Sequence, residues 1–321
     1  MAALALSGEN SLDNLAVLCP GQGAQSVGMG ADFYEAYPVA AGVYDAADEI
    51  LKFKISQICF KGPEETLQAT DNAQAAIFVT SVAIYRVLES LGKLPAAPAA
   101  YAGLSLGEYT ALHLAGAISF EDALRVVRAR GVLMQQAAVE NPSTMLALIG
   151  ADEAAAHQIC AEAKAFGVIV PANFNAPGQI VLSGQMEACT QAAAIAAERG
   201  FRSVPLNVAG AFHSPLMQKA ADAMAVVLEP VTFGPAAAPV ISNVTAEAHG
   251  STGMEIKLLL VNQIVASVRW QQSIEALEKS GITRFVEIGP GRTLAGLMRK
   301  INRKANLANV STVADVAGLP A

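Results

Sequence analysis

Residues 99–109 read AAYAGLSLGEY, and this segment decides the fold. Its small residues predict a short strand over Ala99–Ala102, and a G-x-S-x-G turn over Gly103–Gly107 then leads into a helix predicted over Glu108–Gly116. A serine on such a turn stands above the end of the sheet, at a helix N-terminus that stabilises an oxyanion. The same pattern also arises by chance as an ordinary glycine-bounded turn, so by itself it leaves a catalytic role for Ser105 open.

Helices and strands alternate on both sides of this turn, which predicts a mainly parallel sheet covered by helices. The further strands are predicted at Leu15–Cys19, Pro239–Ser242, Arg284–Ile288 and Asn309–Val313. The further helices are predicted at Asp71–Leu91, with Asp71 as the N-cap, and at Glu121–Ala138, Pro215–Leu228, Met254–Ala266, Val268–Ser280 and Arg292–Lys300.

A different order, β-α-β-β-α-β, occupies the middle of the chain. Its strands are predicted at Met145–Ile149, Val168–Asn173, Gln179–Ser183 and Phe201–Leu206, and its helices at Glu153–Phe166 and Glu187–Arg199. This order is that of ferredoxin-like domains. We therefore predict a ferredoxin-like domain over residues 142–207, inserted into a catalytic domain made of residues 1–141 and 208–321.

Composition narrows the class of protein. Of the 321 residues 53% are hydrophobic and 15% are charged, which supplies ample material for a core. Mean hydropathy is +0.39, but no run of about eighteen apolar residues occurs, so we predict no membrane span. A net charge of −7 argues against nucleic-acid binding. The four cysteines form no C-x-x-C pair, which favours buried thiols over a metal site. The first fourteen residues carry no basic segment, so we predict no secretory signal.

A serine nucleophile needs a base, and the chain has four histidines. His113 lies two turns along the helix that Ser105 opens and points away from it. His157 lies on a predicted helix of the insert, at its surface, and His249 stands in a turn. His213, in Gly-Ala-Phe-His-Ser-Pro just before a predicted helix, is the best candidate by elimination.

A second glycine loop, Pro20–Gln25, follows the first predicted strand. Its sequence Pro-Gly-Gln-Gly-Ala-Gln lacks the third glycine of a dinucleotide fingerprint, because Ser26 stands there. The loop instead fits the rim of an active site, where Gln22 offers an amide donor.

Arg130 stands in an apolar stripe of its predicted helix. The residues three and four positions away are Val126, Val127, Leu133 and Met134. A buried guanidinium is costly unless it meets an anion, so one interpretation is a clamp for a substrate carboxylate. A side chain that reaches the surface and an internal ion pair are the structural alternatives.

Taken together, these motifs resemble the malonyl-CoA:acyl carrier protein transacylase family, nearly end to end from Pro20 to about Lys304. The segments that carry the resemblance are Pro20–Gln25, Gly103–Tyr109, Arg130–Gly131, Ala211–Ser214 and Asn262–Gln263. Many members have His before the nucleophilic serine, where this chain has Leu104. The resemblance implies an α/β-hydrolase-like body with a ferredoxin-like insert.

The resemblance also implies roles for single residues. Ser105 and His213 would form a catalytic dyad without an aspartate. Gln22 and the N–H of Leu106 would hold the oxyanion, and the backbone carbonyl of Gln263 would orient His213.

Substrate binding is assigned to three further side chains. Arg130 would bind the carboxylate of the substrate, and Met134 lies beside it on the predicted helix. In related polyketide acyltransferases the sequence A-F-H accompanies malonyl, and Phe212 would fill the space that an α-methyl group needs. Leu106 also fits the malonyl pattern, so we expect malonyl rather than methylmalonyl.

The activity implied is transfer of malonyl from malonyl-CoA to the phosphopantetheine thiol of an acyl carrier protein, through a malonyl-serine ester and without metal or other cofactor. We expect a monomer, in a bacterial cytoplasm or a plastid stroma. The densest basic patch, a candidate docking surface for the acidic carrier protein, consists of Arg299, Lys300, Arg303 and Lys304. Its alternative is a solvated helix end.

Three other functions stay open at this point. A serine thioesterase or esterase of the same fold shares Ser105 and His213 but does not need Arg130. A stand-alone acyltransferase of a polyketide pathway would have the same fold and residues. A non-catalytic protein that binds carrier proteins would form no acyl adduct.

Overall fold

The computed structural model describes residues 14–319, which form two β-sheets surrounded by helices. The strands are β1 (Leu15–Cys19), β2 (Ala100–Gly103), β3 (Ser143–Ile149), β4 (Ile169–Ala176), β5 (Gln179–Gln185), β6 (Arg202–Pro205), β7 (Val240–Ile241), β8 (Arg284–Ile288) and β9 (Asn306–Val310). The first sheet has the order β7-β2-β1-β8-β9, and every neighbouring pair in it is parallel. This sheet confirms the mainly parallel α/β fold.

Helices cover both faces of the parallel sheet. They are α1 (Ala31–Ala36), α2 (Pro38–Leu51), α3 (Ile55–Lys61), α4 (Glu64–Gln68), α5 (Thr70–Ser90), α6 (Leu106–Leu114), α7 (Phe120–Glu140), α8 (Glu153–Ala163), α9 (Met186–Glu198), α10 (Gln218–Leu228), α11 (Gly253–Gln263), α12 (Trp270–Lys279), α13 (Thr293–Ile301) and α14 (Val313–Val316). Strand β1 is buried on both faces, because Val17 packs into one apolar cluster and Leu18 into another. No helix within residues 14–319 is long and apolar enough to cross a membrane.

The second sheet has the order β4-β5-β3-β6, and its neighbouring strands are antiparallel. Alternation along β5 separates its two faces: Leu182 belongs to a cluster with α8 and α9, whereas Val181 packs toward the main core. Val268 bridges to β4 through two backbone hydrogen bonds, from its N–H to Ala172 O and from Phe174 N–H to its carbonyl. The second sheet is therefore tied to the body of the protein by backbone as well as by side chains.

Several predicted boundaries are wrong, each for a physical reason. Asp71 does not cap α5; it lies in the first turn, where its carboxylate pairs with Arg128 at 3.0 Å. Strand β9 lies three residues before its predicted position, since its pairing with β8 aligns Asn306 with Arg284. Helices α1–α4 were not predicted. Pro38 is the first residue of α2 and Pro63 directly precedes α4, so prolines divide this segment into separate helices.

The turn between β2 and α6 is crowded and strained. Ser105 has φ of 54° and ψ of −105°, a conformation that L-residues rarely adopt. A Cβ on Gly107 would stand 2.1 Å from the carbonyl oxygen of Cys19, and one on Gly103 would stand 1.9 Å from Gly107 backbone atoms. Both glycines are therefore needed for the close approach of α6 to β1 and β2, which places Ser105 above the carboxyl edge of the sheet.

We expect Gly107→Ala to destabilise the protein by at least about 2 kcal/mol, because the added methyl group must displace backbone. Gly42→Ala is the matched control: Gly42 lies inside α2 with open space around it, so the same change should stabilise by about 0.5–1 kcal/mol. Equilibrium urea unfolding of both variants measures the difference. Equal, small effects at both positions would show that the turn tolerates a side chain.

Candidate active site

A cavity of about 550 Å³ lies between the carboxyl edge of the parallel sheet and the second sheet. Ser105 and His213 line it together with the Pro20–Gln25 loop. The side of the second sheet is formed by Met145, Asn173, Asn175, Gln179 and Val181. Ligands of open α/β sheets bind at this carboxyl edge, so the position fits a binding site.

Ser105 and His213, predicted from separate segments, are in contact. The hydroxyl oxygen of Ser105 lies 2.8 Å from Nε2 of His213, and Nδ1 of His213 lies 2.7 Å from the backbone carbonyl oxygen of Gln263. Because a carbonyl only accepts, Nδ1 carries the proton and Nε2 is free to accept one from Ser105. The structure thus places the Gln263 carbonyl where the resemblance implies it.

The pKa of His213 is lowered from 6.5 to about 4, first by burial and then by the positive charge of Arg130. Hydrogen bonds to backbone carbonyls act in the opposite direction but are smaller. The imidazole is therefore neutral near pH 7, which is the form that a general base requires.

Arg130 is 1% exposed, and its side chain points into the same site. One terminal nitrogen donates to Oε1 of Gln74 at 2.8 Å; the other donates to the Ser105 hydroxyl at 3.0 Å and to Oε1 of Gln263 at 2.9 Å. The ring of Tyr109 lies 5.4 Å from its guanidinium carbon. Within residues 14–319 these hydrogen bonds all end on neutral oxygen atoms, and burial lowers the pKa of Arg130.

This geometry decides between the interpretations of Arg130. The side chain neither reaches the surface nor forms an ion pair with an acid of the described chain. Arg125, which lies on another face of α7, is exposed and forms an ion pair with Glu121 at 2.8 Å. The site therefore contains a buried cation that only neutral groups hold, which favours the binding of an anion beside Ser105.

The residues expected to hold an oxyanion lie at the same edge. Leu106 is the first residue of α6, where backbone N–H groups have no partner one turn earlier in the helix. Gln22 is half-buried and lines the cavity, with its side-chain amide 3.4 Å from the hydroxyl of Thr70. The N–H of Ser105 is not available, since it donates to Oδ1 of Asn243 at 2.6 Å.

The predicted substrate-binding side chains also line the cavity. Phe212 and Met134 are both buried, and both face this space. The Nε2 of Gln74 lies 3.6 Å from the sulfur of Met134. Leu104, which replaces the histidine common in the family, lines the cavity as well.

The remaining histidines occupy other environments. His113 is buried between Phe78 and Phe120, with Nδ1 3.0 Å from Ile118 O, so it is a packed residue. Burial lowers the pKa of His113 to about 4. His157 is exposed on α8, as predicted.

Four functional-site neighbours were missed by the sequence analysis. They are Gln74, Glu108, Asn243 and His249. Glu108 carries a usable signal, because it is the one Asp, Glu, Lys or Arg among the residues of α6. Asn243 and His249 carry none, because the chain between β7 and α11 has no periodicity that would place them against α6.

The basic patch of Arg299, Lys300, Arg303 and Lys304 is exposed at the end of α13 and just beyond it. Lys300 donates to Oε1 of Gln179, a residue of the cavity, at 2.6 Å. Thr293 and Leu297, earlier on α13, line the cavity. The patch therefore continues from the rim of the site.

Comparison with known proteins agrees with this geometry. A family model described as an acyl transferase domain matches residues 17–319. The malonyl CoA-acyl carrier protein transacylase of Bacillus subtilis (strain 168) is 42% identical over 302 residues, which cover 94% of each chain. That of Escherichia coli (strain K12) is 40% identical and covers 90% of this chain and 93% of its own.

Solved structures are also similar over nearly the whole chain. An acyl carrier protein S-malonyltransferase from Vibrio cholerae has a TM-score of 0.92 at 38% identity, covering 96% of this chain and 100% of its own. A malonyl-transacylase in complex with its type II polyketide acyl-carrier protein has the same TM-score and identity, over 96% and 99% of the two chains. On the match of residues 17–319 and on relatives that cover nearly the whole length, the chain belongs to the malonyl CoA-acyl carrier protein transacylase family of acyltransferases.

Proposed function

We propose that the chain transfers malonyl from malonyl-CoA to the phosphopantetheine thiol of an acyl carrier protein, and so supplies fatty-acid synthesis. The observation that carries this proposal is the guanidinium of Arg130, buried 3.0 Å from the Ser105 hydroxyl and held by neutral groups. Malonyl combines a thioester for the serine with a free carboxylate for the arginine. An acyl group without that carboxylate leaves the cation unpaired, which is costly in a buried site.

The first half-reaction loads the serine. The Ser105 hydroxyl gives its proton to Nε2 of His213 as its oxygen attacks the thioester carbonyl. The developing oxyanion is held by the N–H of Leu106, at the N-terminus of α6, and by the side-chain amide of Gln22. The carbon–sulfur bond then breaks, and the proton on His213 goes to the departing thiolate of coenzyme A.

The second half-reaction reverses the roles. The carrier protein's thiol gives its proton to His213, and the sulfur attacks the malonyl-serine ester. When the ester bond breaks, the Ser105 oxygen takes the proton back. Each step exchanges one acyl–heteroatom bond for another, so we propose that the reaction uses no cofactor and that coenzyme A enters only as part of a substrate.

We also propose the finer description of the fold. The antiparallel order β4-β5-β3-β6, with α8 and α9 on one face, supports a ferredoxin-like domain over residues 142–207. The parallel sheet with its serine turn supports an α/β-hydrolase-like body over 1–141 and 208–321. We propose a bacterial cytoplasmic location, because the relatives compared above are bacterial, and we keep the monomer as our expectation.

The patch of Arg299, Lys300, Arg303 and Lys304 is our proposed docking surface for the carrier protein. Its support is its place at the rim of the cavity, through Lys300 and Gln179. A relative solved in complex with an acyl-carrier protein makes such a partner reasonable for this chain. A positive patch also attracts an acidic partner to a protein whose own net charge is −7.

A serine thioesterase is the alternative that shares the dyad. It has no use for a buried arginine beside the nucleophile, so the contact of Arg130 with Ser105 favours the transferase. The two functions differ in what accepts the acyl group. Release of free malonate as the main product in the presence of carrier protein would establish the thioesterase.

We expect brief exposure to malonyl-CoA to add one malonyl group to the protein and none to Ser105→Ala, as measured by intact mass. Arg130→Ala should load malonyl at least about a hundredfold more slowly and gain relative tolerance for acetyl, because the buried cation is lost. Arg125→Ala, on the same helix but exposed, should load like the wild type. Full malonyl loading of Arg130→Ala would contradict the substrate assignment.

The pH dependence of Ser105 reactivity should reflect the low pKa of His213. Since only the neutral imidazole accepts a proton, the rate should hold as pH falls through 6.5 and decline only toward about 4. Sulfonylation by phenylmethanesulfonyl fluoride, an uncharged reagent, measures this without ionisation of a substrate. A decline centred at or above pH 6.5 would show that His213 is not held as described.

Charge reversal at the patch tests docking. We expect Arg299→Glu with Arg303→Glu to raise KM for the carrier protein at least about fivefold, more strongly at low salt, with malonyl loading unchanged. The control is Arg125→Glu, an exposed charge on α7 outside the cavity lining. If KM for the carrier protein stays at the wild-type value, the patch is a solvated helix end.

A further inference from the structure

A buried carboxylate lies behind the active site, and the reaction steps above do not use it. Glu108, on α6, is 0% exposed. Its Oε1 accepts from Nε2 of His249 at 2.6 Å, and its Oε2 accepts from the backbone N–H of Asn243 at 2.9 Å and from Nε2 of Gln263 at 2.7 Å. The His249 side chain is only 3% exposed.

This carboxylate is connected to Arg130 through one side chain. The amide oxygen of Gln263 accepts a hydrogen bond from Arg130 at 2.9 Å. The amide nitrogen donates both to Glu108 and to the Ser105 carbonyl, the latter at 3.0 Å. The amide thus lies between a buried cation and a buried anion, with its oxygen toward the cation and its NH₂ toward the anion.

Glu108, the Ser105 carbonyl and Arg130 together determine which way this amide points, and Glu108 is the one of the three that adds a negative charge. A carboxylate only accepts hydrogen bonds, and a guanidinium only donates them. Turning the amide over would set its oxygen against the carboxylate of Glu108 and its NH₂ against the guanidinium of Arg130. Both contacts would be repulsive inside a site with a low local dielectric.

We propose that Glu108, held by His249, is a positioning residue that acts through the Gln263 side chain on Arg130 and so sets selectivity for a carboxylate-bearing acyl group. The inference rests on the proposed malonyl transfer. Gln74 holds one terminal nitrogen of Arg130 and Gln263 holds the other. Loss of the second support frees the guanidinium to turn away from the place where the malonyl carboxylate binds.

The effect is expected on substrate choice and not on the serine itself. His213 is oriented by the backbone carbonyl of Gln263, which does not depend on how the side-chain amide points. The Asn243 side chain holds the N–H of Ser105, and a glutamine at position 108 still offers an oxygen to the backbone N–H of Asn243. Burial, the larger cause of the low His213 pKa, stays when Arg130 turns away, so the imidazole remains neutral above pH 7. At that pH Ser105 should therefore keep most of its reactivity toward an uncharged reagent when the charge of Glu108 is removed.

Glu108→Gln tests the proposal, because it removes the charge while keeping the size of the side chain. We expect KM for malonyl-CoA to rise at least about tenfold and the malonyl-to-acetyl loading ratio to fall at least about tenfold. Sulfonylation of Ser105 by phenylmethanesulfonyl fluoride should stay within about threefold of the wild-type rate.

The matched control is Glu287→Gln. Glu287 is an equally buried carboxylate that accepts from the backbone N–H groups of Leu294 and Ala295 and from the side chain of Asn309, away from Arg130. Its variant should keep the wild-type loading ratio. Thermal unfolding of both variants establishes that they are folded.

An unchanged loading ratio in folded Glu108→Gln would overturn the proposal. So would an equal loss of malonyl loading, acetyl loading and sulfonylation, which would assign Glu108 to general support of the fold. If Glu108→Gln does not fold, His249→Ala tests the proposal instead. We expect its malonyl-to-acetyl loading ratio to fall at least about threefold. Failure of the wild type itself to load malonyl would refute the proposed function instead.

Discussion

The side-chain amide of Gln263 lies between the buried cation of Arg130 and the buried anion of Glu108, and the rest of the site depends on this arrangement. The three residues come from α11, α7 and α6, so the helices must pack in one register for the charges to meet the right ends of the amide. The backbone carbonyl of Gln263 also orients His213. In the function we propose, one residue therefore links the part of the site that moves protons to the part that recognises the acyl group.

Ser105 and His213, which we propose as the catalytic dyad, both lie in strained backbone conformations, with φ of 54° and 57°. Each such residue costs about 1–3 kcal/mol and persists only where neighbours hold it. Asn243 supplies that restraint for the serine: its side chain accepts from the Ser105 N–H and donates to the Gly103 carbonyl at 2.7 Å. This backbone conformation directs the Ser105 hydroxyl into the cavity, and the hydrogen bonds to Asn243 stabilise it.

Much of this arrangement could be predicted from short-range signals in the sequence. The serine turn, the alternation of strands and helices and the apolar stripe around Arg130 are all visible within windows of about ten residues. These signals led to Ser105 and Arg130, and elimination among the four histidines led to His213. The structure brings the three residues into one hydrogen-bonded group. The resemblance to a known family added the contact of the Gln263 carbonyl.

What could not be predicted depends on contacts between distant segments. Asn243 reaches Ser105 across 138 positions, and His249 reaches Glu108 across 141. A turn such as Ala-His-Gly-Ser has no period that indicates which helix it will meet. Strand β9 was misplaced for the same reason, because its pairing with β8, and not its own composition, decides which of its residues belong to the sheet.

The cavity between the two sheets bears on the direction in which malonyl is transferred. The Ser105 hydroxyl is buried in this cavity. In the transfer that we propose, it reacts with the thioester of coenzyme A and then passes the acyl group to the thiol of the carrier protein, so the donor and the acceptor occupy the site in turn. A thioester is consumed and a thioester is made, and the overall free energy change is small. Net movement of malonyl then follows the relative abundance of the two carriers, and the coenzyme A that is released drives the exchange backwards unless other enzymes remove it or consume the product.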